Sequence, residues 1–198
     1  MTSTLQDVPQ LDAKPVPPTC NACNVDSKRE NVLERIDDTV QDRSLFVLAA
    51  PDIDGLAALS SLPCRHFVGL IAWDADPADI PAISRVAEAL LDAGAVYIAT
   101  WGRACELVHD VADETIVARK VMSGAETPLV MTTWHFQESL IHALWFITFA
   151  AAPDDAYLQT CAATVAISIG STERATQMRD AFNDLASFNT AALAESNQ

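Results

Sequence analysis

Five short apolar, β-rich runs recur along the chain, Leu45–Ala50, Phe67–Trp73, Ala95–Trp101, Leu129–Trp134 and Thr164–Ile169, with helical patterns between them. That alternation is the signature of βαβ units wound into a parallel sheet, and the near-continuous apolar character of each run suits strands covered on both faces. The expected fold is an α/β three-layer sandwich. Its sheet should be mostly parallel, Rossmann-like or flavodoxin-like, with about five strands and room for one antiparallel member.

Between the runs lie the helix signals. Asp76-Pro77-Ala78-Asp79 offers a cap, a proline in the first turn and a carboxylate near the positive end of the dipole, and Gly94 supplies a left-handed stop, so a helix is expected from about Pro77 to Ala93. Further helices are expected from about Arg103 to Asp113, Phe136 to Ala151 and Thr172 to Ser187, and a short amphipathic one within Ser27–Asp42. The run Thr115–Val121 is β-rich and reads as a strand that Ser123-Gly124-Ala125-Glu126 turns back onto Leu129–Trp134 as a hairpin.

Residues 1–30 hold four of the ten prolines and no apolar periodicity, the composition of a flexible tail. The division expected is a tail over 1–30, a single α/β domain over 31–190 and a C-terminal tail over 191–198.

Charge narrows the function classes. Against 12 Lys+Arg stand 27 Asp+Glu, and a net charge of −15 repels phosphate backbones and anionic lipid, so nucleic acid is not an expected ligand. Leu140–Ala152, the longest apolar stretch, is broken by His142 and Thr148 and too short to span a bilayer, so no membrane partner is expected. With no secretory signal in the first 20 residues and five scattered cysteines, the expected setting is cytoplasmic with reduced thiols. Cys20 and Cys23 have zinc or redox spacing but lack two further ligands nearby.

Three of the runs end alike, at Trp73-Asp74, Trp101-Gly102 and Trp134-His135. In open parallel sheets ligands bind outside the carboxyl ends of the strands, so Trp73, Asp74, Trp101, Gly102 and Trp134 are the expected lining of a site, with Glu106 and His109 from the helix after the second run. An indole there can stack on a ligand, anchor a protein partner, or simply cap the core. Cys105, near a helix N-terminus, has the placement of a nucleophilic thiol and equally that of a small buried hydrophobe. His135, Glu138 and His142 read as one polar stripe on a buried helix. His135 is a candidate general base, and Glu138 a candidate acid or metal ligand, though no metal motif is matched and no metal site or cofactor is assigned.

The blocks Trp101-Gly102-x-x-Cys105-Glu106-x-x-His109-Asp110 and Thr132-Thr133-Trp134-His135-x-x-Glu138-Ser139-Leu140 resemble those of a family of small uncharacterised bacterial α/β proteins. The resemblance implies a bacterial origin and that the two blocks belong to one site; it implies no activity.

Two readings follow. One is a non-catalytic binding protein, accessory or inhibitor-like, that presents an acidic surface and a Trp-lined edge to a protein partner. The other is a small hydrolase or transferase using Cys105 or His135 with Glu106 or Glu138 on a small molecule. Oligomeric state and strand order stay open.

Overall fold

The structure, a computed structural model, describes residues 31–124 and 128–195. The expected N-terminal tail and the Cys20/Cys23 pair lie outside the described residues, as do 196–198. Six strands form one sheet: β1 (Val32–Val40), β2 (Arg43–Ala50), β3 (His66–Ala72), β4 (Ala95–Trp101), β5 (Met131–His135) and β6 (Cys161–Ile169). Their order is β1-β2-β6-β3-β4-β5, parallel throughout except for the antiparallel β1–β2 pair. The last strand of the chain therefore lies between two of the first.

Alternation along each strand builds a core on either face. In β2, Phe46 and Leu48 point toward a 3-10 segment (Ile53–Ser61) and α1 (Ile80–Asp92), joined by Phe67, Ile71, Val86, Leu90 and Ile98. Leu45 and Val47 point the other way, toward α3 (Leu140–Trp145), α4 (Thr172–Asn183) and α5 (Leu185–Glu195), with Leu144, Ile147, Met178, Phe182 and Phe188. The remaining helix, α2 (Cys105–Ser123), packs on α1 and on β5. The result is the three-layer α/β sandwich expected from the alternation.

Several elements differ from the expectation. The segment up to Asp42 forms strand β1, not a helix. Gln41 and Asp42 both adopt left-handed φ, 54° and 61°, and make the two-residue turn that pairs Val40 with Arg43. The antiparallel strand is thus β1. Thr115–Val121 is no strand; it forms the last turns of α2, where Thr115 Oγ1 donates to Val111 O at 2.7 Å and Arg119 bonds Glu88 and Asp92 of α1. Those local bonds hold the helix against the β propensity of its residues. Helix α1 starts at Ile80 because Asp79 caps it, accepting from Ala82 N at 3.0 Å. The helix expected from Phe136 starts at Leu140, capped by Ser139, and widens into a π turn over Phe146–Ala150. Asp184 divides the C-terminal helix in two by accepting from Ser187 N, and α5 carries the chain past residue 190 to Glu195.

Arg43 is buried to 3% exposure without a carboxylate partner among the described residues. Its guanidinium donates to Ala151 O at 2.9 Å, to Ile147 O and Thr148 O at 3.3 Å each, and to Gln41 Oε1 at 2.6 Å. A helix C-terminus carries unpaired carbonyls and partial negative charge, and the planar fork of arginine satisfies several at once. Arg43→Met should therefore strand these carbonyls and lower stability by about 3 kcal/mol. The check is a lower urea midpoint with an unchanged m-value; Arg43→Lys, with one compact head, should recover only part of the loss.

Candidate functional site

The carboxyl ends of β2, β6 and β3 meet at the points where connections leave for opposite faces. After β3 the chain turns to α1, and after β6 it turns to α4 on the other face. Such switch points are where open α/β sheets hold ligands. Here both are stitched. Between β2 and β6, Gly170 N donates to Ala50 O at 2.8 Å. Between β6 and β3, Arg174 in the first turn of α4 pairs with Asp74 Oδ2 at 2.8 Å and donates to Ile169 O at 3.1 Å. Asp74 Oδ1 also accepts from Arg103 N at 3.1 Å. Gly102 completes the closure: at φ 126°, a Cβ there would lie 2.2 Å from Trp73 O.

The sheet separates Trp101 from the other two tryptophans. Trp73 is half-buried on the face of α1, Trp101 packs on the face of α3, and Trp134 stands over α2 with its ring 4.6 Å from that of His109. Trp101 Nε1 donates to Glu138 O at 2.8 Å. Both it and Trp73 hold loops onto the core. Trp134 is 47% exposed.

Cys105 and His109 do share the inner face of α2, and both are buried. Burial pushes the Cys105 thiol above its ordinary value, outweighing backbone N–H donors of Glu106, Cys105 itself and His135. A protonated, enclosed thiol is a poor nucleophile. His109 is a strut: its Nε2 lies 3.1 Å from Thr132 Oγ1, which donates to Asp113 Oδ1 at 2.6 Å, while Nδ1 faces Asp110 at 3.1 Å. Glu106 is exposed on the first turn of α2.

His135, Glu138 and His142 do converge, though not as a stripe on one helix. His135 ends β5, Glu138 lies in a turn that Gln137 bends with φ 60°, and His142 is in the first turn of α3. Nδ1 of His135 and Nδ1 of His142 each lie 2.8 Å from Glu138 Oε2. Burial would raise the Glu138 carboxyl, but the hydrogen bonds and partial charge of the two imidazoles prevail and hold it below its ordinary value. The His135 side chain is only 6% exposed, and its Nε2 is enclosed without a partner among the described residues. The geometry makes His135 a buried donor, through Nδ1–H, to Glu138. His142 is the ring open to solvent, beside a shallow hollow of about 320 Å³ that Gln137, Ser139 and Glu195 also line. Among the described residues no group of three His, Cys, Asp or Glu side chains is placed to hold a metal ion.

Arg174 and the pair Asp113–Thr132 carry no mark in the sequence. Arg174 meets Asp74 only because β6 lies beside β3, and strand order is not written in the local pattern.

Glu138→Ala should orphan the buried His135 Nδ1–H and cost about 1–3 kcal/mol, whereas His142→Ala, at the surface, should cost about 1 kcal/mol or less. Because the Glu138 pKa is depressed on folding, the stability it contributes is complete above its unfolded value and is lost as pH falls through the depressed one. The Tm difference between wild type and Glu138→Gln should accordingly hold steady near neutrality and shrink in the acid carboxylate range. A difference that persisted unchanged at low pH would refute the assignment.

No curated protein matches the chain. A family model described as a domain of unknown function, DUF7684, matches residues 46–185, a span from within β2 to the start of α5 that takes in every strand end discussed above. The chain belongs to this family.

Proposed function

We propose that the chain is a non-catalytic binding protein, an acidic, cytoplasmic bacterial factor of accessory or inhibitor-like kind, whose contact surface is the free edge of the sheet at β5 with the adjoining side of α2. The observation that carries this reading is where large apolar side chains are left exposed. Val117, Val121 and Met122 at the end of α2, Leu129 before β5, and Trp134 and Phe136 at its end are six of the ten such residues among those described. Exposed apolar side chains gathered along one feature mark an interaction site more often than scattered ones do. β5 is terminal in the sheet order, so its outer backbone groups face away from any described strand.

The strand ends support the same reading. The switch-point positions where a small substrate would lie are tied by Arg174–Asp74 and Gly170–Ala50, Cys105 is enclosed, and the ring of His135 is not open to a substrate. A small hydrolase or transferase is the second reading, favoured by the Glu138 carboxylate held between two imidazoles. It would run through His142, the exposed ring.

The test is site-specific photocrosslinking in cells. A photoreactive phenylalanine analogue at position 134 or 117 should give an adduct of discrete mass, and the same analogue at 32 or 193, exposed apolar positions on β1 and α5, should give none. Equal yields at all four positions would remove the support for an edge-binding protein.

A further inference from the structure

On the reading of the β5 edge as the contact surface, we propose that its occupant is an extended segment of a partner protein that carries basic residues at alternate positions and adds to the sheet as a seventh strand.

Strand addition is available because nothing in β5 blocks it. Met131-Thr132-Thr133-Trp134-His135 contains no proline, glycine, lysine or carboxylate, the usual means by which edge strands are protected. One side of the strand is occupied by β4, in register from Tyr97–Met131 to Trp101–His135; a segment on the other side would receive main-chain hydrogen bonds as a matter of geometry.

The chemistry of the occupant follows from α2, which runs antiparallel to β5 above that edge. Thr132 lies against Asp113 and Trp134 against His109, so the helix descends as the strand rises. Glu106, Asp110, Val117 and Val121 are spaced by four, seven and four residues and form one stripe, carboxylates in its first half and aliphatic side chains in its second. Asp113 lies beside it toward the strand. Alternate residues of an added strand point toward α2, where they meet these carboxylates and the exposed ring of Trp134. Basic side chains fit both, by charge and by cation–π contact.

The same charges argue against a second copy. A twofold axis at the middle of β5 would set Asp110 and Asp113 of one chain near Asp110 and Asp113 of the other, on molecules that each carry a net −15.

The experiment uses the full chain and a fluorescent peptide of about seven alternating lysines and valines, read by anisotropy. The peptide should bind, more weakly as salt rises. Replacing its central valine with proline, which removes a main-chain donor, should weaken binding roughly fivefold. A glutamate–valine peptide should not bind. On the protein, Trp134→Ala and the pair Asp110→Asn with Glu106→Gln should each weaken binding, whereas Glu173→Gln with Asp180→Asn, an equal charge change on α4, should leave it unchanged. Three outcomes would overturn the proposal: equal binding of the proline peptide, equal loss from the two charge-pair variants, or a dimer of the chain alone at micromolar concentration in sedimentation. If adducts form at position 134 in cells while the lysine–valine peptide fails, the edge-binding reading stands and this occupant falls.

Discussion

A guanidinium enclosed among carbonyl oxygens joins the two ends of this architecture. Arg43 opens β2 immediately after the hairpin turn, and its donors converge on the last turn of the helical segment that began at Ser139. Burial lowers its pKa from the ordinary arginine value, the direction expected when a cation loses water without gaining a carboxylate. What keeps the charge in place is the π turn. By delaying closure of the helix, with Ala151 N bonding Phe146 O at 2.8 Å, it leaves Ile147 O and Thr148 O turned toward the fork. Gln41 reinforces the link by donating to Phe149 O at 2.7 Å. The axial position of α3 is therefore set from the hairpin, and with it the placement of Ser139 and His142 at the far end of the same helix.

That mechanical link matters for how the strand ends are used. Much of the polar chemistry there is spent on closure: Asp74 on Arg174 and Arg103, Trp101 on the Glu138 carbonyl, His109 on Thr132. Each bond joins elements far apart in sequence, and each occupies a group that a substrate would otherwise need. What remains unspent is the outer side of β5, where the sheet stops while α2 continues. The 19 residues of α2 outrun the five of β5, so no described strand lies beneath its last turns, and its aliphatic residues there are exposed.

The inner strands β2, β3, β4 and β6 were legible because each is covered on both faces, so that apolar runs such as Val96–Ala99 and Val165–Ile169 stand out in any window. Helix α1 was legible from its punctuation, Asp79 before and Gly94 after. Strand β1 was not, since it is an edge strand with a single fully buried side chain, Ile36, and its turn uses Gln41-Asp42 where asparagine or glycine would have announced it. The end of α2 misled because β-branched residues promise a strand, while the arginine that holds them in a helix acts through α1. Of the candidate site, the meeting of His135 with Glu138 was legible as proximity along the chain. The parting of Trp101 from Trp73 and Trp134 was not, because a one-residue difference in where a strand ends sends its side chain to the other face.

The position of β6 has a consequence for synthesis. Ser44–Ala50 and Phe67–Ala72 do not touch as strands; both pair with Thr164–Ile169 and its neighbours, which emerge from the ribosome last. Until then the nascent chain can hold a hairpin and a β3–α1–β4–α2–β5 unit, each with one flank of its sheet unsealed and rich in valine, leucine and isoleucine. Parallel pairing across such separations is slow, and unsealed flanks are the usual points of entry for chaperones and for aggregation. A stop codon anywhere before Cys161 leaves two half-sheets without the strand that joins them.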